Sequence, residues 1–119
     1  MKEKELVLQV MTMPGDCNPM GKIFGGFVMS KMDQAAAITC GSLHYVTKAA
    51  TNIEFLAPCE LGDILQCYAT IMKSGKTSRT IQITVYVKDE YKTKIAEGEF
   101  TMVRIDKRMR PIAHRSEMK

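Results

Sequence analysis

Asp33 sits in the run GGFVMSKMDQAAAI, with Met29, Ala36, Ala37 and Cys40 three, four and seven residues from it. On a helix those offsets share a face, so the carboxylate would stand among apolar side chains. Two readings are open: a surface acid whose neighbours happen to be apolar, or a partly buried acid with chemistry to perform. Burial would disfavour the charged form, raise the pKa and make the group a stronger base. Gly25 and Gly26 stand at the start of the same predicted helix. The first N–H groups of a helix lack partners and carry partial positive charge, and glycine lets a carbonyl approach them closely. An oxyanion hole can be built from backbone alone in this way. Asn18, both donor and acceptor, either holds a water or a carbonyl or is an ordinary turn residue.

Spacing constrains how these groups can cooperate. Gly26 and Asp33 are seven residues apart, hence on one helix face but about 10 Å apart along the axis. An attacking group and oxyanion donors must meet at one carbonyl within roughly 3 Å. A single copy of the helix does not achieve that. Two antiparallel copies facing each other across a dimer would.

The elements that must position these residues follow from periodicity. Leu6 to Met13 alternates loosely and predicts a strand, ended by Pro14-Gly15-Asp16. Residues 16–24 form a loop. Val28, Met32, Ala35, Ala36, Thr39 and Leu43 recur at helical spacing, predicting a helix from about Gly26 to Leu43 with Gly41 as a terminating signal. Four strands follow, from Val46 to Leu56, Ile64 to Lys73, Thr77 to Lys88 and Lys94 to Ile105. In the first, Thr51, Ile53 and Phe55 should share a face. In the third, Ile81, Ile83, Val85 and Val87 should point inward and Thr80, Gln82, Thr84 and Tyr86 outward. Gly98 marks a possible bulge in the last strand. Short links favour antiparallel pairing, and one helix must cover the inner face of the sheet, giving a two-layer α+β fold. The chain reads as one domain over residues 1–119, with a basic, mobile tail from 106 onward.

Composition narrows the function. The chain has 119 residues, 45% hydrophobic and 25% charged, with a formal charge of +4. That is an ordinary globular composition, without a run of about 20 apolar residues that would span a membrane and without a signal-peptide pattern. Cys17, Cys40, Cys59 and Cys67 lack metal-finger spacing and read as reduced thiols of a cytoplasmic protein. The basic residues do not interleave with aromatics, so nucleic acid is a poor partner and a small polyanion a better one. No metal-ligand cluster is evident.

The segment Asn18-x-x-Gly21-x-Ile23-Phe24-Gly25-Gly26, followed by Met29 and Met32-Asp33, resembles the hotdog-fold acyl-CoA thioesterases, most nearly the YciA-type bacterial hydrolases. The resemblance extends through Gly62-Asp63 and Gly75-x-Thr77-Ser78 and so covers nearly the whole chain. It implies a five-stranded antiparallel sheet wrapped around one long central helix, and homodimers that pair edge to edge and assemble into hexamers. It implies hydrolysis of acyl-CoA, with Asp33 as general base or nucleophile and Asn18 of the opposing subunit positioning water or thioester. The amides around Gly25 and Gly26 would hold the carbonyl oxygen. Gly75, Thr77 and Ser78 would contact coenzyme A, which is substrate and product here and not a separate cofactor. The chain departs from the family pattern at Pro19-Met20 and Phe27, positions that bear on acyl-chain preference.

Hotdog dehydratases pair a histidine with an acid, but no histidine precedes this helix: His44 lies at its far end and His114 in the basic tail. The non-enzymatic alternative is an acyl-CoA-binding regulatory module, which would need neither Asp33 nor Asn18.

Overall fold

The computed structural model describes residues 3–41 and 44–114. Its elements are β1 (Glu5–Met11), a short 3-10 turn (Pro14–Asp16), α1 (Gly25–Cys40), β2 (Tyr45–Phe55), β3 (Ile64–Ser74), β4 (Ser78–Val87) and β5 (Lys94–Arg104). The strands form one antiparallel sheet in the order β1-β3-β4-β5-β2. β2 is therefore an edge strand although it directly follows the helix. α1 lies across the inner face and touches all five strands. Val28, Met32, Ala35, Ala36 and Cys40 form its buried face, packed with Leu65, Cys67, Ile81, Ile83, Val85 and Phe100 in one core. Met32 is fully buried, a contribution of about 2 kcal/mol from apolar area alone. The two small alanines beside it let the helix backbone come close to the sheet.

The element order matches expectation, and the boundaries differ for physical reasons. α1 stops at Cys40 because Gly41 turns left-handed (φ 72°), its N–H reaching Ala37 O and Ile38 O; Leu43 lies outside the described residues. β1 ends at Met11 because the buried Thr12 turns inward, its hydroxyl donating to Asp63 O at 2.9 Å and Glu60 O at 3.1 Å. Ile81, Ile83, Val85 and Val87 are buried as expected, but so are Thr80 and Thr84 on the outer face. β4 is the central strand, and its neighbours' side chains cover them.

In β2, Ile53 packs against the core and Phe55 against the helix start, but the strand between them and Thr51 is irregular. The register with β5 slips between Thr51 and Glu54, and Asn52 has a positive φ of 54°. Phe55, though 53% exposed, lays its ring against Gly25 at the start of α1. The irregularity assigned to Gly98 lies in the strand opposite it. A Cβ on Gly98 would sit 2.3 Å from Ile53 Cδ1, so any side chain there must displace the end of Ile53. Gly98→Ala is expected to destabilise by about 1 kcal/mol through overpacking. In an Ile53→Val background, which removes Cδ1, the same change should be neutral; urea denaturation of the four variants checks this.

The basic segment after β5, expected to be mobile, makes defined contacts as far as His114. Asp106 Oδ1 accepts the N–H groups of Arg108 at 2.8 Å and Arg110 at 2.9 Å, closing a turn. Ile112 N–H then donates to Arg104 O at 2.9 Å. Residues 115–119 lie outside the described residues.

Candidate active site

The start of α1 has the open donors expected of it. Phe24 O accepts the N–H groups of Phe27 at 3.1 Å and Val28 at 3.3 Å, whereas those of Gly25 and Gly26 find no backbone acceptor among the described residues. No side chain caps the helix. The two glycines, however, face different spaces. A Cβ on Gly25 would touch the Phe55 ring at 3.4 Å, while one on Gly26 would meet nothing within 4 Å. Gly26 lines an open groove of about 330 Å³ with Met29, Asp33, Thr47, Ala50 and Phe100. Gly25 lines a separate apolar cavity of about 310 Å³ with Val28, Phe55, Leu56, Cys59 and Ile95. The helix start is a ridge between them.

Asp33 is half-buried in the Gly26 groove. Of its expected apolar neighbours, Met29 lines that groove, while Ala36 and Cys40 belong to the core. Thr47, on the edge strand, donates its hydroxyl to Asp33 Oδ1. That contact fixes one carboxylate oxygen and leaves Oδ2 for the groove. Sequence reasoning missed Thr47, and no local signal marks it: it is one threonine in an edge strand, brought to Asp33 only by the packing of α1 on β2.

Asn18 is oriented by its own loop. Its Oδ1 accepts the N–H groups of Met20 at 2.9 Å and Lys22 at 3.0 Å. The turn reading is thus correct for one end of the side chain. The amide nitrogen makes no hydrogen bond among the described residues, so toward a ligand Asn18 can only donate. The loop is held by Ile23 N–H on Cys59 O at 2.8 Å and by the Lys22–Glu60 ion pair.

The hairpin linking β3 to β4 comprises Gly75, Lys76 and Thr77, with Gly75 N–H donating to Ser78 O at 2.8 Å. Neither Asn18 nor Gly75, Thr77 or Ser78 lines the Asp33 groove. A single chain brings Asp33, Gly26 and Thr47 together and leaves the other candidates elsewhere.

The cysteines offer no nucleophile in the core. Burial, with Asp63 adding to it, pushes the Cys59 thiol up to about 12; burial raises Cys40 and Cys67 to about 11. Among the described residues no group of three or more His, Cys, Asp or Glu side chains could hold a metal. No helix there is long and apolar enough to cross a membrane.

Residues 20–94 match the family model described as the thioesterase superfamily. The chain is 36% identical over 118 residues to the acyl-CoA thioester hydrolase YciA of Escherichia coli strain K12, covering 92% of this chain and 89% of the relative. Among solved structures it is similar to a hexameric thioesterase from Yersinia pestis, with a TM-score of 0.89, 38% identity and coverage of 98% and 99% of the two chains. It is also similar to an acyl-CoA hydrolase from Staphylococcus aureus solved with butyryl coenzyme A and coenzyme A. There the TM-score is 0.78 and the identity 27%, covering 94% of this chain and 70% of that one.

Proposed function

The chain belongs to the thioesterase superfamily and is an acyl-CoA hydrolase of the hotdog fold; we propose that it works at sites shared between two subunits. The observation that carries this reading is the division of the candidate residues within one chain. Asp33, steadied by Thr47 near the start of β2, sits midway along α1, while Gly25, against Phe55 at the end of β2, sits at the helix start. β2 pairs only with β5, leaving its outer edge open along an 11-residue strand. Such an edge invites pairing with another strand. Two β2 edges paired antiparallel about Thr51 would set Phe55 beside Thr47 of the partner subunit. One helix start would then face the other subunit's acid, which meets the convergence that a single helix fails.

In this arrangement the thioester carbonyl oxygen accepts from the N–H groups at Gly25 and Gly26, and the Asn18 amide donates to the thioester or to water. Asp33 Oδ2 of the opposing subunit takes the proton of the attacking water and returns it to the departing sulfur, so that coenzyme A leaves as the thiol. The acyl chain enters the apolar cavity behind Gly25. The second subunit covers the groove and withdraws Asp33 from bulk solvent, strengthening its electrostatics. Gly75, Thr77 and Ser78 receive coenzyme A, which is substrate and product; no separate cofactor is required. The hexameric Yersinia relative supports assembly of such dimers into a hexamer, with residues 1–119 as one domain. The free thiols suit a reducing cytoplasm.

The test is release of free thiol from a panel of acyl-CoA chain lengths. Turnover is expected. A protein that binds acyl-CoA but releases no thiol at any chain length would favour the regulatory-module reading. Single-turnover hydrolysis in heavy-oxygen water tests for direct attack by Asp33. Label in the Asp33 side chain arises only from an acyl–Asp33 anhydride opened by water at the Asp33 carbonyl, whereas base catalysis labels the acid product alone.

A further inference from the structure

In the hairpin between β3 and β4 every carbonyl from Lys76 to Ser78 is engaged. Lys76 O accepts the backbone N–H of His114 at 3.1 Å, and Thr77 O that of Arg104 at 2.9 Å. Ser78 O accepts both from His114 Nε2 at 2.9 Å and from Gly75 N–H at 2.8 Å. Two of these four bonds come from His114. With Nε2 donating, neutral imidazole has Nδ1 as an acceptor, and the Tyr45 hydroxyl donates to it. The two rings lie nearly parallel, 12° apart with centroids separated by 5.7 Å. Arg104 steadies the segment just before, donating from Nη1 to Ala113 O at 2.6 Å. His114 is thus fixed by both ring nitrogens, by its backbone and by ring contact, although it lies ten residues beyond the end of β5.

Tying the carbonyls back has a consequence for the other side of the hairpin. The N–H groups of Lys76 and Thr77 have no backbone acceptor among the described residues. They stand beside the hydroxyls of Thr77 and Ser78, with Lys76 exposed. Successive unpaired N–H groups in a turn form a concavity for an anion. Left loose, the hairpin could rotate its carbonyls outward and repel the same anion.

We propose that His114 is a positioning residue that locks the 75–78 hairpin with its carbonyls inward and its donors outward, so that it receives the phosphate-bearing part of coenzyme A. This rests on the reading of that hairpin as the coenzyme A contact. His114 touches no reacting atom and acts only through the hairpin.

The test uses the full chain and two thioesters of one acyl group, acyl-CoA and the N-acetylcysteamine thioester, which has no phosphate. His114→Ala is expected to raise KM for acyl-CoA about tenfold, the scale of lost positioning hydrogen bonds, with kcat within about twofold. Turnover of the N-acetylcysteamine thioester should not change. His114→Gln, whose amide can still donate to Ser78 O, should recover much of the KM. Calorimetric titration with coenzyme A gives the same comparison without catalysis: His114→Ala should weaken binding by a similar factor. Equal loss on both thioesters, no change on either, or unaltered coenzyme A binding would overturn the assignment. A wild-type protein that binds coenzyme A but cleaves neither thioester would remove the hydrolase reading, and the lock would still be judged on the binding comparison. A wild-type protein that does not bind coenzyme A overturns the lock as well.

Discussion

Asp33→Asn is expected to lower kcat for acyl-CoA hydrolysis about a thousandfold, within the range for a lost general base, and to leave coenzyme A affinity nearly unchanged. The substitution keeps an oxygen to accept the Thr47 hydroxyl, whose bond to Oδ1 holds the acid in place. It removes only the proton acceptor. Asp33 is half-buried at a groove open to solvent, so neutralising it should move the melting temperature little, and the lost rate would not be a folding effect. Thr47→Val tests the support separately: with the carboxylate present but unsteadied, a smaller loss of about tenfold is expected. Steady-state kinetics and melting curves of the variants check both. Near-normal turnover by Asp33→Asn would remove the acid from the mechanism.

The second large effect is restoration of activity by mixing two dead chains. Asn18→Asp should inactivate cleanly, because its carboxylate still accepts the Met20 and Lys22 N–H groups that Asn18 Oδ1 accepts now. Only the outward donor is lost, replaced by an oxygen that repels a thioester carbonyl. If each site takes its donor from one subunit and its acid from the other, a heterodimer of Asn18→Asp with Asp33→Asn contains one doubly damaged site and one intact site. A randomly assorted mixture of dimers should then average about a quarter of wild-type activity, and the selected heterodimer about half, from the pairing of chains across a two-fold axis. A site completed within one chain predicts none, since every chain in the mixture carries a defect. Co-expression with two affinity tags, followed by the thiol-release assay on the doubly selected protein, gives the answer.

How much of this was legible beforehand depends on the distance over which each feature is encoded. The alternation Ile81, Ile83, Val85 and Val87 and the three- and four-residue recurrence through Met32, Ala35 and Ala36 identify strand and helix, because each pattern is read within a few residues of chain. The same periodicity put Gly26 and Asp33 on one helix face, and both do line one groove. Gly25 and Gly26 could not be told apart that way. Adjacent in sequence and alike in chemistry, they diverge only because the Phe55 ring closes over one of them.

The exposed Phe55 shows why the rest stayed hidden. Its place against Gly25 comes after a bulge at Asn52, which exists in relation to the register of β5 and to Gly98, dozens of residues away. The basic residues after Asp106 looked like a solvated tail because charge is a local property. Up to His114 the segment is instead held through Ile112, Ala113 and His114 by Arg104, Lys76 and Ser78.

From the sequence by itself came the α+β class, the single helix with four strands after it, and the acid and glycines that the helix must present. Those are consequences of local backbone preference and of apolar spacing. Only the tertiary structure decided that Thr47 holds Asp33, that Asn18 offers only its donor, and that His114 braces the 75–78 hairpin. These contacts join positions 14 to 69 residues apart, or depend on which end of a side chain the loop has already engaged. Chain spacing carries no information about such pairings until the helix is packed on the sheet.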